Sequence, residues 1–477
     1  MRNSRNTLSK VLGRTDILAI GFGTMVGWSW IMMSASWVNE AGILGTLAAF
    51  MIGSVIILGV GLTYGELTAA LPLAGGEFVF AYRAMGKYSA WMVGWIMALA
   101  YLGVAAWEGI ALATAVDYIF PIGSAGPLWE VAGYQVYLSW SLIGIAGAVI
   151  ITLLNFFGVR PAVIFQVMST AVLIVVVLII FFGSLVFGDI DNIRPLYTSF
   201  DGFSYVFLMV PAMLIGFDVI PQSAEEMNIS PKNIGKMVIV CILVSLMWYV
   251  ILIIGIAIAA PVEIRDSGII PAADVTAYML NGNIFSVMVI VGGIFGILTS
   301  WNGFFIGATR LIFSMGRAKV IPGIFGKVHK KYKTPWIAVL MVGAVCIFSP
   351  LLGRNALIWF MDTSSLCALF SYIFVVFSFI LLKKNEPELA RPLEIKGGIL
   401  FGAFVLAVTI IYFMLYIRDN ISTSSVSPEF IITIIWILCG AVLLVAAKRF
   451  GETFDSEKQE LLIFGEKFAR KGGKNEK

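Results

Sequence analysis

Twelve apolar runs, each long enough to cross a hydrocarbon layer of ~30 Å, dictate what this chain can become. They fall at about 16–38, 44–70, 90–120, 138–157, 163–187, 203–221, 235–260, 284–315, 336–353, 356–383, 399–417 and 428–447. In lipid every backbone polar group must find its partner inside the protein, which leaves helices and closed barrels. Long alternation of apolar and charged residues, the mark of a barrel strand, is absent, so the fold class is all-α and polytopic. Of the 477 residues, 60% are hydrophobic and 13% are charged, about half the charged share of a soluble domain. The mean hydropathy is +0.95. A polar, basic start followed by many further spans argues against a cleavable signal peptide.

Orientation follows from the basic residues, which concentrate on the cytoplasmic side. With both termini placed inside, only Arg194, Arg265, Arg354 and Arg418 of the 32 basic residues fall in the outer connections. A miscounted span would scramble that asymmetry. Residues 1–447 therefore read as one transmembrane domain, and 448–477 as a charged cytoplasmic tail. The basic stretches are orientation signals beside anionic lipid and need no nucleic acid as partner. Cys241, Cys346, Cys367 and Cys439 stand singly in apolar segments, with no pairing or metal-ligand spacing. His329, the only histidine, lies in a basic loop.

Two spans are punctuated unlike the rest. The first carries Gly21, Gly23 and Gly27, with Thr24 and Ser29 beside them; the sixth carries Pro211, Gly216 and Pro221 around Asp218. Glycine weakens a helix and proline removes a backbone donor. At membrane depth such breaks are tolerated where freed groups line a cavity. They occupy corresponding positions in helices 1–5 and 6–10, the pattern of an inverted repeat with its site near the midplane. The repeats span about 16–187 and 203–383, and 399–447 supplies two extra helices. Half-helix N-termini suit a carboxylate and C-terminal carbonyls an ammonium group or cation, so a zwitterion fits both.

Intramembrane charge is costly and usually functional. Glu66 ends helix 2, Glu108 lies deep in helix 3, Asp218 follows the second break, Glu225 and Glu226 lie just below it, and Asp362 opens helix 10. Glu108 reads as a counter-charge for an amine or as a proton carrier, with a hydrogen-bonded structural carboxyl as the plain alternative. Trp28, Trp30, Phe217, Trp301 and Phe304 crowd the same neighbourhood. Trp28 is singled out because it lies between the small residues of the break.

The chain resembles the amino acid–polyamine–organocation transporters over nearly its whole length. The resemblance is carried by Tyr64-Gly-Glu66-Leu-Thr-Ala-Ala-Leu-Pro72 with Gly75-Gly-Glu-Phe-Val-Phe-Ala-Tyr82-Arg83, and by Ala308-Thr-Arg310-Leu-Ile-Phe-Ser-Met-Gly-Arg317-Ala-Lys-Val-Ile-Pro322 with Lys333-Thr-Pro335. Gly216-Phe217-Asp218, Glu225-Glu226, Pro231-Lys-Asn233-Ile234 and Pro387-Glu-Leu-Ala-Arg391-Pro392 complete the pattern. The resemblance implies a five-plus-five inverted repeat with two added helices, alternating access, and an amino acid as substrate. By position it puts the carboxylate on Gly27, Trp28 and Ser29, after Thr24 and Met25. Ile215, Gly216, Phe217 and Asp218 form the helix 6 side, and Trp301 or Phe304 the helix 8 aromatic gate.

Three departures stand out. After the first turn glycine the family usually has small-Gly-Ile-Phe, where this chain has Trp28-Ser29-Trp30-Ile31. Aromatic faces with nearby carboxylates also suit amines, polyamines or quaternary ammonium compounds. Helix 5, around Leu173, has no charged residue between Arg160 and Asp189, so the lysine that replaces sodium in some proton-coupled relatives is missing. Thr299 and Ser300 could instead help ligate sodium, leaving Na+ or H+ as the coupling ion, or obligatory exchange, open. Glu108 stands where the family is often small and apolar. No phosphate-cradling loop marks an ATP-driven pump, and no convergent nucleophile, base or metal set marks an enzyme or a cofactor. The expectation is a permease of a cell membrane, with the compact loops of a prokaryotic protein.

Overall fold

The computed structural model describes residues 8–122, 125–131, 133–266, 270–421, 428–449 and 456–469. The first apolar run divides: α1 (Arg14–Met25) stops at Val26, and α2 (Ser29–Ala70) starts two residues beyond Gly27. Helix α2 is 42 residues long and turns one corner at Gly42, where φ is 70°. A Cβ at Gly42 would lie 2.7 Å from backbone atoms of Leu196 and Tyr197, so glycine alone fits the corner.

The short α3 (Gly76–Met85) precedes the long crossing α4 (Lys87–Ile119). Strands β1 (Pro127–Val131) and β2 (Tyr134–Tyr137) pair antiparallel with Glu130 opposite Gln135. They lead into α5 (Leu138–Phe157) and α6 (Val159–Phe187). The sixth run divides into α7 (Phe200–Leu214) and α8 (Val219–Gln222). Then come α9 (Pro231–Ala259), the short α10 (Val262–Arg265) and α11 (Pro271–Met279), and α12 (Asn283–Arg317). The chain continues through α13 (Trp336–Phe348), α14 (Ala356–Asn385), α15 (Gly398–Ile421), α16 (Pro428–Arg449) and α17 (Ser456–Phe468).

Among the described residues, ten helices are long and apolar enough to cross a membrane, and Trp336–Leu352 is a shorter apolar segment. Taking the two legs of α2 separately gives the twelve runs expected. The periphery is apolar where lipid would lie: Phe182, Val186, Leu400 and Val442 are each more than half exposed. Polarity is turned inward.

Several charges in and just beside the apolar runs bind each other. Arg310 of α12 meets Glu226 with N–O distances of 2.9 and 3.2 Å, both side chains fully buried. Arg317 meets Glu225 at 2.8 and 2.9 Å. Glu66 takes Lys383 at 3.1 Å and Arg391 at 3.2 Å. These carboxylates brace the end of the bundle where both broken helices terminate. The charged tail carries α17. Its Ile463 and Phe464 are buried, and the Arg83 guanidinium lies 5.2 Å from the Phe464 ring centre.

Candidate functional site

Breaking a helix leaves backbone groups that need partners. Val26 still donates to Phe22 O, at 3.2 Å, but its φ of −114° and ψ of 82° take the chain out of the helix. Among the described residues, no backbone carbonyl accepts from the N–H of Gly27, Trp28 or Ser29. Helix α2 therefore begins with free donors and the positive end of its dipole. A Cβ on Gly27 would lie 3.0 Å from Ser300 Oγ and 3.2 Å from Glu108 Oε1, so the turn is built to approach those side chains closely.

The second break mirrors the first. Helix α7 ends in extended Ile215 (φ −64°, ψ 141°), and Gly216 has φ 124°. A Cβ on Gly216 would stand 3.0 Å from the Met25 nitrogen, so the two breaks touch. Asp218 organises the turn: Oδ1 accepts from the Gly216 N–H at 3.1 Å, and Oδ2 accepts from Tyr372 Oη at 2.8 Å. Tyr249 Oη reaches a carbonyl of each break, Met25 O at 3.4 Å and Met213 O at 3.3 Å.

Where the breaks meet lies a narrow cavity of about 40 Å³. Thr24, Met25, Gly27, Trp28, Ser29, Glu108, Ile215, Ser300 and Phe304 line it. Ser300 and Glu108 face the Gly27 turn together, and the Glu108 Oε2 is buried with no hydrogen-bond partner. The Trp28 ring packs on α12, where a Cβ at Gly293 would come within 2.8 Å of it.

Other expected site residues lie off the cavity. Gly216 and Asp218 hold the break itself. Phe217 meets the rings of Tyr64 and Tyr372 at 5.3 and 5.4 Å. Trp301 points to α4 and α5, its ring 3.3 and 2.9 Å from where Cβ atoms of Gly109 and Gly147 would be. Phe304 is therefore the α12 aromatic at the cavity, with Tyr101 6.0 Å away. The Thr299 hydroxyl donates to Gly296 O at 2.9 Å, inside its own helix.

Two broken crossings meeting at a buried, partly polar cavity form the geometry of a secondary carrier. The family described as amino acid permease matches residues 12–441. The chain belongs to the amino acid permease family. It is 24% identical to the branched-chain amino acid permease BcaP of Bacillus subtilis (strain 168), over 87% of this chain and 92% of that protein. It is 26% identical to the aspartate-proton symporter of the same organism, over 86% and 80%. For the glutamate/serine transporter AimA of that organism the identity is 28%, over 84% and 78%. The permease is an amino acid transporter with an all-α, multi-pass membrane fold.

Sequence reasoning passed over other residues of the permease that the structure brings to the cavity. Val104, Trp107, Ala212, Met213, Met361, Ser364 and Ser365 also line it. The run Thr363-Ser364-Ser365 inside an apolar span was the available signal. It was also silent on a buried amide chain. Asn155 donates to Asn302 Oδ1 at 2.9 Å, and Asn302 donates to Gln166 Oε1 at 2.8 Å. Gln166 Nε2 then reaches Ala19 O at 3.2 Å and Thr299 O at 3.1 Å. Polar amides in lipid need partners as charges do, but a single amide in an apolar run is a weaker mark than a charge.

Proposed function

We propose that the cavity is the transport site and that it takes a zwitterionic amino acid. The observation that carries this is the pairing of opposite chemistries across it. The free N–H groups of Gly27 to Ser29 suit a carboxylate. The unpartnered Glu108 Oε2, with carbonyls at the two helix ends, suits an ammonium group. Alternating access rocks the breaks apart, since about 40 Å³ is far below the size of a ligand pocket. The chain is read as a two-repeat carrier (16–187 and 203–383) with both termini cytoplasmic, in the membrane of a prokaryotic cell, working without a cofactor or enzymatic step.

A second reading, transport of an amine, polyamine or quaternary ammonium compound, is favoured by Trp28 and Glu108 together. An aromatic face beside a carboxylate attracts cations. A thermal-shift panel of amino acids and their decarboxylated amines on purified protein separates the two. Stabilisation by amines with no response to any amino acid would overturn the preferred reading.

Two substitutions test the site directly. Glu108→Gln keeps the shape and removes the charge, so ligand affinity should fall by about 1.5–3 kcal/mol, roughly 10- to 150-fold. Unchanged affinity and unchanged pH dependence would return Glu108 to a structural role. Trp28→Ala should widen the cavity and shift selectivity towards bulkier side chains, with expression maintained. An identical ligand profile at identical affinity would remove Trp28 from the site.

For the coupling ion, we read H+ over Na+. Ala19 O and Thr299 O, carbonyls between α1 and α12, each give one lone pair to Gln166 and keep only one for a cation. One relative is named as a proton symporter. Uptake into proteoliposomes under an imposed pH gradient, without sodium, tests this; dependence on a sodium gradient would reverse it.

A further inference from the structure

Beside the second break lies a buried polar cluster that substrate binding does not use. Glu77, at the start of α3, is fully buried, as are Tyr64, Tyr101, Asp218, Gln222 and Tyr372. Gln222 Nε2 donates to Glu77 Oε2, and Tyr101 Oη reaches Glu77 Oε1 at 3.4 Å. Gln222 also reaches Tyr101 Oη at 3.4 Å. On the far side of the cluster Tyr372 holds Asp218.

Two buried carboxyls thus lie at the two ends of the four-residue α8, Asp218 before its start and Glu77 on Gln222 at its close, and the groups hydrogen-bonded to them are neutral. Helix α2 contributes Tyr64, α4 Tyr101, α14 Tyr372 and α8 Gln222, while α12 brings Ser314 against Gly75. The nearest basic residues along these elements are engaged elsewhere: Arg310 binds Glu226 and Arg83 binds Glu386. Burial first, and the Asp218 carboxyl second, push Glu77 well above the ordinary carboxylate range. Two uncompensated anions at such a site favour binding of a proton.

The independent sign is Gln222. Its Oε1 is buried and has no partner, while its Nε2 serves Glu77. A carboxamide offers a donor and an acceptor, so it can serve Glu77 in either state. The Nε2–H donates to the carboxylate, and after a flip Oε1 accepts from the carboxylic acid. The empty acceptor is what a protonated Glu77 would fill.

We propose that Glu77 is the site that binds the coupling proton, and that Gln222 passes its charge state to Asp218 and the helix break. The path is short. Gln222 closes the four-residue α8, which begins directly after Asp218, and Asp218 holds the N–H of Gly216. A Cβ on Gly76 would lie 2.8 Å from Gln222 Nε2, so α3 and α8 are in direct contact. Protonation forms one O–H bond at Glu77 with a proton from water, lowers the charge beside Asp218 and loosens the hold on α8. Deprotonation on the opposite side returns it. As pH rises the proton is lost and coupling with it.

This inference rests on the proton-coupled reading above, and the experiment separates the two. Full-length protein in sodium-free proteoliposomes is given a radiolabelled mixture of the standard amino acids under a pH gradient of one unit. One coupled proton supports about a tenfold accumulation. No gradient-driven accumulation by the unaltered protein would sink proton coupling itself. If the unaltered protein accumulates label, Glu77→Gln should lose that tenfold gain while still exchanging internal for external label. Accumulation undiminished in Glu77→Gln would overturn the role of Glu77. Infrared difference spectra between acidic and alkaline pH give a readout independent of transport. The carboxylic C=O band of one group should vanish in Glu77→Gln and persist in Glu108→Gln; a band unchanged in Glu77→Gln also overturns it.

Discussion

Replacing Arg310 with methionine is expected to leave almost no folded protein. Arg310 and Glu226 are both fully buried and joined by two hydrogen bonds of 2.9 and 3.2 Å. Removing the cation strands a carboxylate away from water, which costs about 3–5 kcal/mol, a large part of typical total stability. The Glu226 backbone carbonyl also accepts from Val11 and Leu12, at 2.8 and 2.9 Å, so the lost brace reaches the segment leading into α1. The monodisperse fraction on size-exclusion chromatography in detergent measures the loss. Arg310→Met with Glu226→Met should restore most of it, because a buried pair exchanged for apolar residues is often neutral. A single variant as stable as the parent would show that the pair is not a brace.

Gly216→Ala should abolish most transport while the protein still folds. The position has φ 124°, and the added Cβ would stand 3.0 Å from the Met25 nitrogen and 2.9 Å from Thr24 Cγ2. Strained backbone of this kind costs on the order of 1–3 kcal/mol. Applied to the balance between two conformations, that is about 5- to 150-fold. The control is Gly133→Ala, with φ 80° and no heavy atom within 4 Å of the new Cβ. Equal transport loss in both would assign the effect to backbone strain in general, not to contact between the breaks.

What the sequence reveals follows from which physical demands need a special residue. Interrupting a helix at membrane depth needs glycine or proline, so both breaks were readable in Gly23, Gly27, Pro211 and Gly216. Crossing a bilayer needs a long apolar run, so the crossings were readable too, even though α2 fuses two of them at Gly42. Side-chain direction leaves no such mark. Trp301 and Phe304 are three residues apart on α12, yet one packs on α5 and the other faces the cavity, because Gly109 and Gly147 open a slot for the larger ring. Ser364 and Ser365 donate to carbonyls four residues earlier in their own helix, at 2.7 and 3.0 Å. In sequence they look like any helical serine. Asn302 is far along the chain from Asn155 and Gln166, and the three meet only after α5, α6 and α12 pack.

The corner at Gly42 has a mechanical consequence. With no loop between its two legs, α2 is one bent beam, clamped at the bend by Leu44 N to Leu196 O at 2.9 Å and Thr198 N to Ala41 O at 3.3 Å. Helix α1, only 12 residues long, hangs from that beam by the unwound Val26, Gly27 and Trp28. Its far end is stitched to the segment after α8, where Asn228 N donates to Leu12 O at 2.8 Å. If access alternates as proposed, the short helix would be a lever with its pivot at the cavity, its far end tied to the segment after α8. A spectroscopic label near residue 14 should sense the swing, and one near residue 38 should stay still.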